Sequence, residues 1–238
     1  MHPKASGATL DALRGGLIIS CQADSGSPFR DPIIIAAFAR AAEIGGAQAV
    51  RVQGLDDVRA VTAAVNLPVI GLTKRRLHGS PVYITPSPAE VQALASLGCR
   101  IVAFDATLRE RPYPVRTLVE AAHEVDALAM ADCATIEDAR AALNAGVDLI
   151  STTLSGYTED SPGQIAPDWT FIEAAARLAV PCIAEGRISS PQEAERALEL
   201  GAFAVVVGTA ITRPDVVVSW YAQALRGATA RPEGGEGS

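Results

Sequence analysis

Residues 127–154 read ALAMADCATIEDARAALNAGVDLISTTL, and this stretch is one complete structural repeat. Ala127 to Cys133 is an almost unbroken apolar run ending on Asp132 and Cys133, the pattern of a strand buried on both faces. Thr135 then supplies a helix N-cap, Glu137 and Asp138 place negative charge in the first turn, and Ala and Leu recur at helical spacing up to Gly146. A second apolar run, Val147 to Leu154, follows at once. Strand, helix and strand joined by short connections form a parallel βαβ unit.

The same alternation extends outward in both directions. Gly16–Gln22, Ala47–Gln53, Pro68–Lys74 and Arg100–Thr107 precede the quoted unit, and Val180–Gly186 and Ala202–Thr209 follow it, which makes eight runs. The segments between them carry helix signals of the same kind, such as SPAEVQALASLG, SPQEAERALELG and the glycines of EIGGAQAV. Eight units predict a closed (β/α)8 TIM barrel of the phosphate-binding type, preceded by a short N-terminal helix around Thr9–Leu13. Spacing alone also allows an open doubly wound sheet. A dinucleotide-binding sheet of that kind should show GxGxxG after its first strand, whereas this first strand runs into SCQADSGSPFRDP. Residues 1–225 read as one domain without an internal linker, and the polar, Gly-rich tail 226–238 is expected to be disordered.

The bulk properties agree with a barrel. The chain has 238 residues, 49% of them hydrophobic and only 5% aromatic, which suits Ala-rich helices packed on buried strands. A net charge of −7 argues against nucleic acid or an anionic membrane as the main partner, although a local cradle can still hold an anion. Cys21, Cys99, Cys133 and Cys182 are widely spaced without a CxxC pair, so reduced thiols are expected rather than disulfides or a metal site. The first residues lack a basic segment followed by an apolar one, and no apolar run approaches the roughly 20 residues of a membrane span, so a cytoplasmic location is expected.

In a parallel barrel the chemistry sits at the C-terminal ends of the strands. Polar residues ending these apolar runs are Gln22, Arg51 and Gln53, Lys74, Asp105 and Thr107, Asp132, Thr152 and Thr153, Glu185 and Arg187, and Thr209. Lys74, beside Arg75 and Arg76, is a candidate base because neighbouring cations and burial both disfavour an ammonium; the alternative is a solvated loop cluster. Glu185 ends the seventh run and so faces the third across the barrel mouth, unless it serves only as an ion-pair partner of Arg187. Asp132 could orient a hydroxyl or Lys74, and Arg51 could stabilise negative charge on oxygen. Tyr83 and Thr85 follow Lys74 in what could be a lid. Gly186 and Gly208 stand where barrels hold phosphate, after strands seven and eight, and Arg213 could add a charged contact; the alternative is that the glycines only make tight turns and Arg213 is a solvated helix-start residue. His123 lies in a helical run and reads as a surface residue, and His78 is a lone loop histidine.

Taken together, the strand ends resemble the N-acylglucosamine-6-phosphate 2-epimerase family, also called N-acetylmannosamine-6-phosphate 2-epimerase. The resemblance is carried in order by GLIISCQA, PVIGLTK with VYITPS, VAFDATLRERP, MADCAT, STTLSGYT, IAEGRI and VVVGTAITRP, from Gly16 to Pro214. It implies Lys74 and Glu185 as the catalytic pair and Gln22, Arg51 and Asp132 as sugar contacts. It further implies Gly186, Arg187, Gly208, Thr209 and Arg213 as the phosphate site. A phosphorylated amino sugar as substrate, no metal or redox cofactor, and a homodimer are implied in the same way. Two other readings remain at this point: another phosphate-binding barrel enzyme, such as a ketose-forming isomerase or a lyase, or a non-catalytic binding protein on the same fold.

Overall fold

The computed structural model describes residues 3–229. Helix α1 (Pro3–Leu13) leads into eight strands: β1 (Leu17–Cys21), β2 (Ala49–Gln53), β3 (Val69–Leu72), β4 (Ile101–Asp105), β5 (Leu128–Asp132), β6 (Leu149–Ser151), β7 (Cys182–Glu185) and β8 (Ala204–Val207). Each lies within one of the eight apolar runs. All neighbouring pairs are parallel, and β8 pairs back with β1, which closes the barrel in sequence order. Helices α2 (Pro32–Ile44), α3 (Leu55–Thr62), α4 (Pro88–Ser96), α5 (Val115–His123), α6 (Ile136–Ala145), α7 (Trp169–Ala176) and α8 (Pro191–Glu199) alternate with the strands, and α9 (Thr209–Thr212) and α10 (Pro214–Thr229) follow β8.

Strand side chains alternate between the two faces, and here both faces are buried. One face packs on the helices through Val50, Val52, Val102, Phe104, Ala129, Ala131 and Ile150. The other fills the barrel in layers. Ile18, Ala49, Ile70, Ile101, Leu128, Leu149, Ile183 and Ala204 belong to one interior cluster, which Leu13 of α1 joins. The N-terminal helix therefore plugs the bottom of the barrel.

The helix ends follow their sequence signals. Thr135 caps α6 in a reciprocal capping box with Asp138, and Gly146 ends that helix at φ 95°. Ser190 caps α8 by accepting the Glu193 N–H. Ser87 stands at the N-cap of α4 but donates its hydroxyl to Glu90 at 2.6 Å instead of accepting a backbone N–H. Helix α10 continues through Arg226 to Thr229, past the expected end of the folded domain, while 230–238 lie outside the described residues.

All four cysteines are free and buried. Burial pushes the thiols of Cys21, Cys99 and Cys182 up to about 12, and Cys133 well above its ordinary range. Among the described residues no helix is long and apolar enough to cross a membrane.

Candidate active site

At the C-terminal ends of the strands the inward-facing positions change from apolar to polar. Ile18 gives way to Ser20 and Gln22, Ala49 to Arg51, Leu72 to Lys74, Met130 to Asp132, Leu149 to Ser151 and Thr153, and Ile183 to Glu185. A cavity of about 630 Å³ opens over this layer, and its wall includes Gln22, Arg51, Lys74, Tyr83, Thr153, Glu185, Gly186, Gly208, Thr209 and Arg213.

Arg51 organises the floor. It is 1% exposed. Its Nη2 donates to Asp132 Oδ2 at 2.6 Å, its Nη1 donates to Asp132 Oδ1 at 3.0 Å, and Nη1 also lies 3.0 Å from Glu185 Oε2. Burial works against the guanidinium charge, but Asp132 and then Glu185 outweigh it and hold the group above its ordinary range. The Thr153 hydroxyl lies 2.8 Å from Glu185 Oε2, 3.0 Å from Asp132 Oδ1 and 2.7 Å from Ser151 Oγ. Its single proton thus sits between two carboxyl groups. Arg51 Nε and Gln22 Oε1 are buried without a protein partner, and both side chains line the cavity. A bound ligand can satisfy them.

Lys74 and Glu185 stand on opposite sides of this floor, since β3 and β7 are four strands apart in an eight-stranded ring. Lys74 is open to the cavity, yet the surrounding wall removes water that an ammonium needs. That desolvation, and then repulsion from Arg51, lower its pKa. Burial raises the pKa of Glu185, opposed in part by Arg51. The lysine is thus biased toward the free amine and the glutamate toward the acid. Burial, followed by Asp132, raises the pKa of Tyr83, so this phenol stays a neutral donor at the rim.

The ends of β7 and β8 bring backbone close to the cavity. Gly186 has φ 117° and Arg187 has φ 60°, so a pair of left-handed residues follows β7. At Gly208 a Cβ would stand 3.1 Å from the Ser20 Cβ, so the backbone here passes close to the end of β1. Gly208 is also the N-cap of α9, and N–H groups at a helix start are not consumed by the helical ladder. Arg213 reaches the same end of the cavity, with Nη1 donating to Asp24 at 2.8 Å.

A family model described as "NanE: Putative N-acetylmannosamine-6-phosphate epimerase" matches residues 35–227. The chain belongs to the NanE family. It is 48% identical over 219 residues to a "Putative N-acetylmannosamine-6-phosphate 2-epimerase" of Thermosynechococcus vestitus, covering 91% of this chain and 96% of the relative. A protein of the same description from Salmonella arizonae is 46% identical over 216 residues, covering 90% and 93%. The solved structure of the N-acetylmannosamine-6-phosphate 2-epimerase from Clostridium perfringens superimposes with a TM-score of 0.88 at 42% identity, covering 90% of this chain and 95% of that one.

Within this NanE-family barrel, three residues expected to touch a ligand are engaged by protein groups. Thr85 is fully buried at φ 43° and is not on the cavity wall. Its hydroxyl donates to Ala103 O at 2.6 Å and accepts the Thr73 N–H at 3.1 Å, so it pins the bridge between Lys74 and Ile84, next to Tyr83. Asp132 is fully buried beneath Arg51 and holds that guanidinium rather than facing the cavity. Arg187 lines the cavity, but its guanidinium donates to Ser155 O and Ala166 O, each at 2.8 Å. Only its backbone stands beside Gly186. Thr153 is the site residue that sequence reasoning left among the polar strand ends. Two-residue alternation would have found it, because Leu149, Ser151 and Thr153 share the inner face. Thr152, facing the other way, joins the backbone of Glu185 through its hydroxyl, donating to the carbonyl at 2.8 Å and accepting the N–H at 3.0 Å. Trp220 of α10 also lines the cavity, and nothing in its helical run marked it as a site residue.

Proposed function

We propose that this chain is a 2-epimerase that interconverts N-acetylmannosamine 6-phosphate and N-acetylglucosamine 6-phosphate, in the breakdown of sialic acid and related amino sugars. The observation that carries the reading is the pair Lys74 and Glu185, which meet one cavity from opposite sides and have their pKa values pushed toward each other. Inversion at one carbon needs a group that removes a proton and a source that returns it to the other face.

In the open-chain sugar, C2 lies next to the C1 aldehyde, so loss of the C2 proton gives an enolate. Lys74 as the free amine takes that proton, and Glu185 as the acid supplies one from the opposite side. Arg51 offers its unpartnered Nε–H to the developing oxygen charge, and Gln22 and Tyr83 orient hydroxyls. The phosphate rests against the backbone of Gly186 and Arg187 and of Gly208 and Thr209, with Arg213 alongside. Fixing the remote phosphate places C2 between the two catalytic groups. A ketose-forming isomerase would use similar phosphate loops, but it returns its proton to the neighbouring carbon and does not need acid–base groups across the ring.

Proton NMR of N-acetylmannosamine 6-phosphate with the protein in D2O tests this. The expected result is N-acetylglucosamine 6-phosphate carrying deuterium at C2, abolished in Lys74→Ala. No epimer from folded protein, or an epimer that keeps its original C2 proton, overturns the reading.

The barrel works as a homodimer on this reading. Helix α10 leaves Val218 at 65% and Tyr221 at 70% exposed, while Trp220 of the same helix borders the cavity. An apolar helix face next to the cavity mouth is suited to cover by a second copy.

A further inference from the structure

The loop between β6 and α7, residues 154–168, is tied into a single unit by its own hydrogen bonds. The Ser155 hydroxyl and the Gln164 amide both donate to Asp168 Oδ2, at 2.7 and 2.8 Å. Asp168 also caps α7 by accepting the Phe171 N–H, and Ser161 Oγ accepts the Gly156 N–H at 3.0 Å. One side chain joins both limbs of this unit to β7. Arg187 Nη1 donates to Ser155 O and its Nε to Ala166 O. The guanidinium also lies 5.4 Å from the centre of the Tyr157 ring. It runs so close to Gly156 that a Cβ there would meet Nη1 at 2.8 Å. The loop in turn places Tyr157 and Ile165 on the cavity wall, with Ile165 97% exposed.

The geometry points to Arg187 as a positioning residue: its planar fork latches the 154–168 loop to the backbone turn after β7, so that the turn meeting the phosphate also sets the wall over the sugar. The phosphate part of this inference rests on the function proposed above, but the latch does not. A planar fork gripping two carbonyls is a task that lysine, with one compact ammonium, cannot perform. A plain charge on phosphate is a task that lysine can.

The test compares wild type, Arg187→Met and Arg187→Lys by hydrogen-exchange mass spectrometry and by steady-state kinetics. Without ligand, peptides spanning 154–168 exchange about tenfold faster in both variants, the order expected for losing charge-assisted hydrogen bonds in part replaced by water. KM rises about tenfold in both while kcat stays within about threefold, because a loop that contacts the sugar equally before and during reaction contributes uniform binding. Unchanged exchange across 154–168 in Arg187→Met overturns the latch. So does restoration of wild-type KM by Arg187→Lys, which would place the charge on phosphate instead. The exchange arm needs no turnover, so a wild type without epimerase activity would sink the proposed function and leave the latch to be judged by exchange alone.

Discussion

Arg51 carries two carboxylates on one buried guanidinium, and losing each has a different consequence. Asp132→Ala leaves a buried charge short of its closest partner, which costs about 3–5 kcal/mol. The urea midpoint should fall accordingly. Glu185→Gln keeps an acceptor for Thr153 and should leave the midpoint near wild type while epimerisation is lost. Equal stability of the two variants would contradict the supporting role given to Asp132. The pH dependence follows from the directions of the two shifts. Glu185 is raised above its ordinary 4.5, chiefly by burial, so its titration begins at higher pH than a free glutamate. Lys74 is lowered below 10.5 by burial and then by Arg51, so the amine forms earlier than in a free lysine. The profile of kcat/KM should therefore be a bell narrower than 4.5 to 10.5 on both sides, with limbs that belong to the coupled pair. A profile flat across that whole interval would contradict the assignment. The place of Lys74 and Glu185 on the cavity wall was legible in the sequence because both close apolar runs at the C-terminal end of a barrel, where the cavity opens. The partners of Thr85, Asp132 and Arg187 were not, because position on a strand end does not say whether the side chain turns to the cavity or to a neighbouring backbone.

At the scale of elements, contact between β3 and its helix depends on a missing side chain. A Cβ on Gly71 would stand 2.3 Å from the Cys99 Sγ and 3.2 Å from Leu94 of α4. Gly71→Ala overpacks this seam and should destabilise the fold by about 1–3 kcal/mol, seen as a lower Tm, with Lys74 displaced at the strand end and activity reduced. A Tm equal to wild type would show that the seam yields more easily than its geometry indicates. The eight strands were readable because each is a short apolar run with its own punctuation. The end of α10 was not. The composition from Arg226 onward resembles a loop, but a glycine costs only about 1 kcal/mol in a helix, which the established turns before it can absorb.

At the scale of the whole molecule, the barrel closes its sheet and leaves no edge strand among the described residues, so the proposed contact between copies is placed on a helix. Light scattering should give about twice 24.7 kDa for the wild type. Paired charges in Val218→Glu with Tyr221→Glu should reduce it to the monomer, since two carboxylates would be buried in an apolar contact. A dimer that survives both changes would move the interface off α10. The closed architecture was expected from the count of repeats together with the missing GxGxxG after the first strand, whereas the proposed surface between copies was not legible, because exposed apolar residues in a sequence look the same as core.

The four thiols held inside this wall carry one more consequence. Alkylation requires a thiolate, and burial disfavours one at every site: all four groups are enclosed, the thiols of Cys21, Cys99 and Cys182 are pushed up to about 12, and that of Cys133 is raised well above its ordinary range. A maleimide or iodoacetamide added to the intact molecule can react only when a seam between helix and strand parts. Cys99 and Cys133 sit behind different seams, so the order in which the thiols are labelled is a timed record of where the barrel breathes first.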